Sequence, residues 1–128
     1  MFYTFTSQEE RRRVGGSCFI EFQFCKLPID TKINKIVFVD SINNLLNDSL
    51  YVSDENYFYE EYNNIFDYGI YSNLERGIVD IYGINYYPPE LIEVIINKIL
   101  KETPSDYKKL VEWLEKAKAY NGFYILGI

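Results

Sequence analysis

From Ser17 to Cys25 apolar and polar side chains alternate, with Cys18, Ile20, Phe22 and Phe24 on one side and Glu21 and Gln23 on the other. A period of two is that of a strand with one face toward a core and one toward water, so this segment is expected to be half-buried. Residues 2–5 predict an earlier strand, and Phe123-Tyr124-Ile125-Leu126 a last one. Lys35-Ile36-Val37-Phe38-Val39 is apolar on both faces after its first residue, the pattern of a central strand, and residues 77–82 predict another.

Between these runs the period lengthens to that of a helix. Ser7-Gln8-Glu9-Glu10 has the form of a capping box and predicts a short helix that carries Arg11, Arg12 and Arg13 to a stop at Gly15-Gly16. Asp40 and Ser41 are placed to cap a second one, with Ile42, Leu45 and Leu46 at helical spacing. Ser53 is the expected N-cap of a third, with Asp54 and Glu55 in its first turn, where carboxylates meet the positive end of the dipole. At about 100° per residue, Phe58, Tyr62 and Ile65 face inward, and Tyr57, Glu60, Glu61 and Asn64 are left toward solvent.

Pro88-Pro89 starts a helix whose polar stripe is Glu90, Glu93, Asn97 and Lys101; the rest is apolar, so deep packing against a sheet is expected. Thr103-Pro104-Ser105-Asp106 supplies another start signal, with Thr at the cap, Pro at the first helical position and an acid at the third. Tyr107, Leu110, Val111, Leu114 and Ala117 form the buried stripe that follows, with Trp113 beside it, and Asn121-Gly122 is the expected left-handed stop. Strands and helices alternate irregularly rather than in βαβ order. The fold class this predicts is α+β, one domain over residues 1–128, with a mostly antiparallel sheet packed against several helices.

Charge then singles out one stretch. Between Ile36 and Glu75 lie eight acidic side chains, Asp40, Asp48, Asp54, Glu55, Glu60, Glu61, Asp67 and Glu75, with no Lys, Arg or His among them. Six of the thirteen tyrosines, Tyr51, Tyr57, Tyr59, Tyr62, Tyr68 and Tyr71, share it. A concentrated negative field draws a basic partner from a distance, and tyrosines supply stiff contact area with little entropy to lose on docking. Asp54, Tyr57, Tyr59, Glu60, Glu61, Asn64, Asp67, Tyr68 and Tyr71 are therefore the candidate partner-binding residues, with Tyr57 the best single anchor. The net charge of −6 argues against nucleic acid and membrane surfaces as direct ligands. The polar opening, residues 1–13, has neither a secretory signal's apolar core nor a spanning run, which leads to a cytoplasmic expectation.

Candidate chemistry is sparse. No histidine is present, which removes His-based nucleophilic and general-base machinery and His-bearing zinc sites. Two cysteines cannot build an all-thiolate zinc site, and in one extended strand Cys18 and Cys25 would stand roughly twenty ångströms apart, at about 3.3 Å per residue, beyond disulfide reach. Asp48 and Asp54 lack the dense Asp/Asn/Gly spacing of a calcium loop, and Gly15-Gly16 lacks the Gly-Lys-Ser/Thr of a P-loop. No catalytic residue, metal or cofactor is expected. The alternative is a small-ligand or carbohydrate-processing domain with paired carboxylates among Glu55, Glu60, Glu61 and Asp80; adjacent Glu60 and Glu61 would diverge by about 100° around a helix rather than converge on one bond.

Four segments carry a family likeness: Phe66-Asp67-Tyr68-Gly69-Ile70-Tyr71, Asn85-Tyr86-Tyr87-Pro88-Pro89-Glu90-Leu91, Tyr107-Lys108-Lys109-Leu110-Val111-Glu112-Trp113-Leu114 and Asn121-Gly122-Phe123-Tyr124. They resemble the carboxyl-terminal half of bacterial immunity proteins from contact-dependent growth inhibition systems. The resemblance implies a partner that is a cognate toxin C-terminal domain, basic and of nuclease type. This chain would neutralise it by covering its active site or substrate groove.

Overall fold

The computed structural model describes residues 1–4, 9–10, 20–43 and 46–127. Seven strands appear among them: β1 (Phe2–Tyr3), β2 (Ile20–Phe24), β3 (Leu50–Val52), β4 (Gly69–Ile70), β5 (Arg76–Gly77), β6 (Ile84–Tyr87) and β7 (Phe123–Leu126). They form one antiparallel sheet in the order β1-β3-β2-β7-β6-β4-β5. Glu9 and Glu10 are helical, and the helices whose bounds lie among the described residues are α1 (Ile33–Ile36), α2 (Glu55–Tyr62), α3 (Pro89–Glu102) and α4 (Tyr107–Ala117), with a 3-10 turn at Val39–Ser41. The fold is α+β.

Register sorts the strand residues onto two faces. Phe22 pairs with Leu50 and Ile125, and Phe24 with Phe123, so these side chains share the face on which α2, α3 and α4 pack. Phe22 is the hub, with ring contacts to Phe2, Phe58, Phe66, Trp113 and Phe123. Such pairs contribute about 0.5–1.5 kcal/mol each beyond the area they bury. The helices supply the expected stripes, Phe58 and Tyr62 from α2, Ile92, Ile95, Ile96 and Ile99 from α3, and Leu110, Trp113, Leu114 and Ala117 from α4. Packing of α3 is one-sided, since Val94 and Leu100 are about half exposed.

The opposite face carries Tyr51, Glu21, Gln23, Tyr124, Tyr86 and Leu126, and the expectation of a wet side here is wrong: Glu21 is fully buried and Gln23 nearly so. The chain between β2 and β3 crosses this face and covers it, placing Ile36 and Val37 on Cys25, Tyr86 and Tyr124. Polar side chains of the sheet then hold the covering segment by its main chain. The Tyr124 hydroxyl donates to the Ile36 carbonyl at 2.7 Å, Tyr51 to that of Leu46 at 2.8 Å, and the Gln23 amide to that of Asn43. Glu21 accepts from the Leu46 N–H at 3.2 Å and from the Ser49 hydroxyl at 2.6 Å. Buried polar groups without partners cost about 1–3 kcal/mol each, so this network is what permits a carboxylate in the sheet.

That crossing also corrects the central strand expected at residues 35–39. The lateral positions beside β2 are filled by β3 and β7, so Ile36 and Val37 pack from above as the end of a helical turn, and Phe38 and Val39 point away. The strand expected over 77–82 stops at Gly77, because Asp80 turns the chain by accepting the Tyr82 N–H and Asn85 holds the Asp80 main chain on both its N–H and C=O. Tyr86 and Tyr87, just ahead of the Pro88-Pro89 helix start, lie buried in β6.

At Thr103 the backbone is left-handed and ends α3 instead of capping the next helix, and Asp106 flanks α4 with its carboxylate turned to Phe2. The cap of α2 is Asp54, one residue past Ser53. The left-handed glycine is Gly122, which follows the turn after α4. Phe5, the Ser7-Gln8 half of the capping box, Arg11 to Arg13, Gly15-Gly16, Cys18 and Leu45 lie outside the described residues, and Cys25 is a buried free thiol.

Candidate functional site

Helix α2 places most of the candidate residues. Asp54 caps it by accepting the Tyr57 N–H at 3.0 Å, and burial of Phe58 and Tyr62 turns the rest of the first turns outward. Tyr57, Tyr59, Glu60 and Asn64 are exposed and Glu61 is partly so. At about 100° per residue, however, Tyr59 lies on the opposite flank from Tyr57 and Glu61. One expected surface is thus two flanks that meet along the Glu60 ridge.

The first flank is tied to the corner between α3 and α4. Ser105 donates its hydroxyl proton to Glu61, and a serine has only one, so the Tyr57 hydroxyl donates in turn to Ser105 at 2.7 Å. Tyr62 donates to the Ser105 carbonyl at 2.6 Å, and the next residue, Asp106, accepts from the Phe2 N–H at 3.2 Å. The hydrogen bond from the Ser105 hydroxyl, then that from its N–H, holds the Glu61 carboxyl below the ordinary range. A carboxyl lowered in the folded state stabilises above its unfolded value and loses that contribution as pH falls through the folded one. Glu61→Gln is therefore expected to melt below wild type at neutral pH, with the gap closing from about pH 4 downward. Melting curves across that range check it, and a gap that does not close would remove the charged tie.

The second flank is made with the β4–β5 hairpin. Asp67 accepts the N–H of Tyr68, which stands 60% exposed in a left-handed conformation. Tyr71 lies over Gly77, where a Cβ would collide with its hydroxyl, and donates to the Ile78 carbonyl. Desolvation foremost, then the carboxylates of Asp80, Asp67 and Glu75, raises the Tyr71 phenol above its usual value. Those groups belong to the turn after α2, the β4–β5 loop and the loop after β5. Exposed Leu74 and Ile78 border the same hairpin.

Arg76 of β5 is the cation nearest the second flank in sequence, yet it pairs with none of these acids. Among the described residues the ion pairs are Lys26–Asp48 at 2.6 Å, Lys118 with Glu93 and Glu115, and the Met1 amino group with Asp106. Asp54, Glu55, Glu60, Glu61, Asp67, Glu75 and Asp80 make none. The structure thus groups Tyr59, Asp67, Tyr68 and Tyr71, and sets Tyr57 and Glu61 apart as partly structural. Glu75, counted above in the acidic stretch, and Asp80, named above only for the paired-carboxylate alternative, join the site although neither was among the candidate partner-binding residues; the available signal was Glu75 four residues from Tyr71, across a turn.

Concave sites offer little acid. Four clefts, near Gln23 and Asn43, near Phe38 and Tyr82, near Lys26 and Asn121, and near Ile33 and Arg76, have Glu90 as their single lining carboxylate. Glu60 and Asp80 share none of them. No group of three or more Cys, Asp or Glu side chains that could hold a metal occurs among the described residues, and no helix there is long and apolar enough to cross a membrane. Compared with protein-family models, curated proteins and solved structures, the chain has no match.

Proposed function

We propose that this chain is an inhibitor of the immunity type, which docks on a basic protein through the α2 and β4–β5 surface and masks that protein's active site or substrate groove. The observation that carries the reading is the set of carboxylates without cation partners among the described residues, interleaved with exposed Tyr57, Tyr59 and Tyr68. Unpaired acids raise the rate of encounter with a positive surface, and aromatic rings desolvated on contact slow its loss. The resemblance noted above adds the kind of partner, a toxin domain of nuclease type, whose phosphate-binding positions the carboxylates would occupy. Such an inhibitor would act in the cytoplasm, where the toxin's substrate lies. The paired-carboxylate alternative gains nothing from clefts that hold a single acid.

Co-expression with the product of the adjacent reading frame tests the proposal. Protection of growth together with a complex that survives gel filtration is the expected result. Toxicity unchanged by the chain, with no complex, would sink it.

A further inference from the structure

Past Asp80, three large apolar side chains stand in water around one hollow. Phe38, Val39 and Tyr82 are 53%, 62% and 73% exposed, and with Ser72, Gly83 and Ile84 they line a cleft of about 450 Å³. Scattered apolar side chains on a surface need no explanation, whereas three around one concavity mark a contact. The core does not require them there: Ile36 and Val37 already cover the sheet, and Phe38 and Val39 follow them outward.

Charge indicates what enters. The Asp80 carboxylate lies against the cleft wall, where a Cβ on Gly83 would come within 2.6 Å of its Oδ2, and its other oxygen accepts the Tyr82 N–H at 3.0 Å. Ser72 in the cleft wall directly follows Tyr71, whose hydroxyl donates to the Ile78 carbonyl, so the cleft borders the β4–β5 surface. Lys32 and Lys35, the cations nearest in sequence, do not line it. The cleft beside Ile33, in contrast, is lined by both Arg76 and Glu90 and selects for neither sign.

We infer that the Phe38–Val39–Tyr82 cleft receives an apolar side chain, of leucine or phenylalanine size, projecting from a lysine- or arginine-rich surface of the partner. The inference rests on the reading of the chain as a binder of cationic proteins and adds the hydrophobic anchor to it. Negative charge at the rim would pair the flanking cations while the side chain fills the hollow, the arrangement in which a few buried groups dominate affinity.

Three amidated peptides test it: a central Phe flanked by lysines, the same peptide with Ser for Phe, and the Phe peptide with glutamates for lysines. Binding is read by fluorescence anisotropy and by amide shifts of the chain. The lysine-Phe peptide should bind about tenfold or more tighter than the lysine-Ser peptide and shift residues 38, 39 and 82–84. Val39→Ser with Tyr82→Ser, both exposed and so expected to leave melting unchanged, should abolish that preference. Equal binding of the two lysine peptides, or a preference kept by the variant, overturns the cleft and leaves the cationic-partner reading standing. No preference for lysine over glutamate peptides overturns that reading too.

Discussion

Replacing Trp113 with alanine is expected to remove about 3–5 kcal/mol of folding stability, the range for truncating a large buried aromatic. The indole stacks on Phe24 with centroids 4.2 Å apart, meets Phe22 and Phe123 edge-on, and is only 5% exposed. Its loss leaves a void bounded by three rings held in two hydrogen-bonded strands, β2 and β7, so collapse of one neighbour cannot fill it. For a chain of this size the melting temperature should fall by roughly 10–20 °C. The indole N–H also donates to the Asp48 carbonyl at 3.0 Å, so Trp113→Phe separates the two contributions. Phenylalanine keeps much of the stack and orphans one carbonyl, a loss of about 1–3 kcal/mol. Urea titration of both variants measures this, and an alanine variant less than about 1 kcal/mol below wild type would show that Trp113 does not organise the core.

Charge reversal should act on binding and leave folding alone. Glu61 is a poor choice for that test because Ser105 depends on it, whereas Glu60 has no internal partner among the described residues and Glu75 only a long contact to Asn73, 3.5 Å. Glu60→Lys with Glu75→Lys is expected to slow association with the basic partner about tenfold or more at low salt, since steering separates rates of about 10⁸–10⁹ from an unassisted 10⁵–10⁶ M⁻¹s⁻¹. Dissociation should change little, because the exposed acids desolvate least. At about 1 M salt, where screening reaches only about 3 Å, wild type and variant should associate alike. Stopped-flow traces at two ionic strengths decide the matter. An association rate indifferent to the reversal would take the α2 ridge out of the interface.

Long elements were legible in the sequence and short ones were not. Over the length of α3 and α4 a 3.6-residue period repeats several times, so Ile92, Ile95, Ile99, Leu110 and Trp113 could be assigned to the core from spacing alone. The inward turn of Phe58 and Tyr62 was equally clear, and it places half of the candidate site. Strands β4 and β5 have two residues each, too few for any period, so the hairpin whose turn joins Tyr71 to Glu75 left no mark in the hydrophobic pattern, only the four-residue spacing.

Glu21 and Gln23 illustrate a different limit. Alternation tells which residues share a side of a strand, but whether that side meets water or another part of the chain is decided by a segment twenty or more residues away. The central strand expected at 35–39 failed for a related reason: an apolar run fits equally well between two strands or on top of them.

Apart from the Ser49 hydroxyl, the polar grip of the sheet's outer face on the segment between β2 and β3 falls on the carbonyls of Ile36, Asn43 and Leu46 and on one amide, groups that almost any amino acid would present there. Side-chain identity at Phe38 and Val39 is thereby released from the duty of holding the scaffold together. Those residues could be exchanged to suit a different contact without renegotiating the architecture, which puts the freedom to vary in the part of the chain that the sheet holds by its backbone.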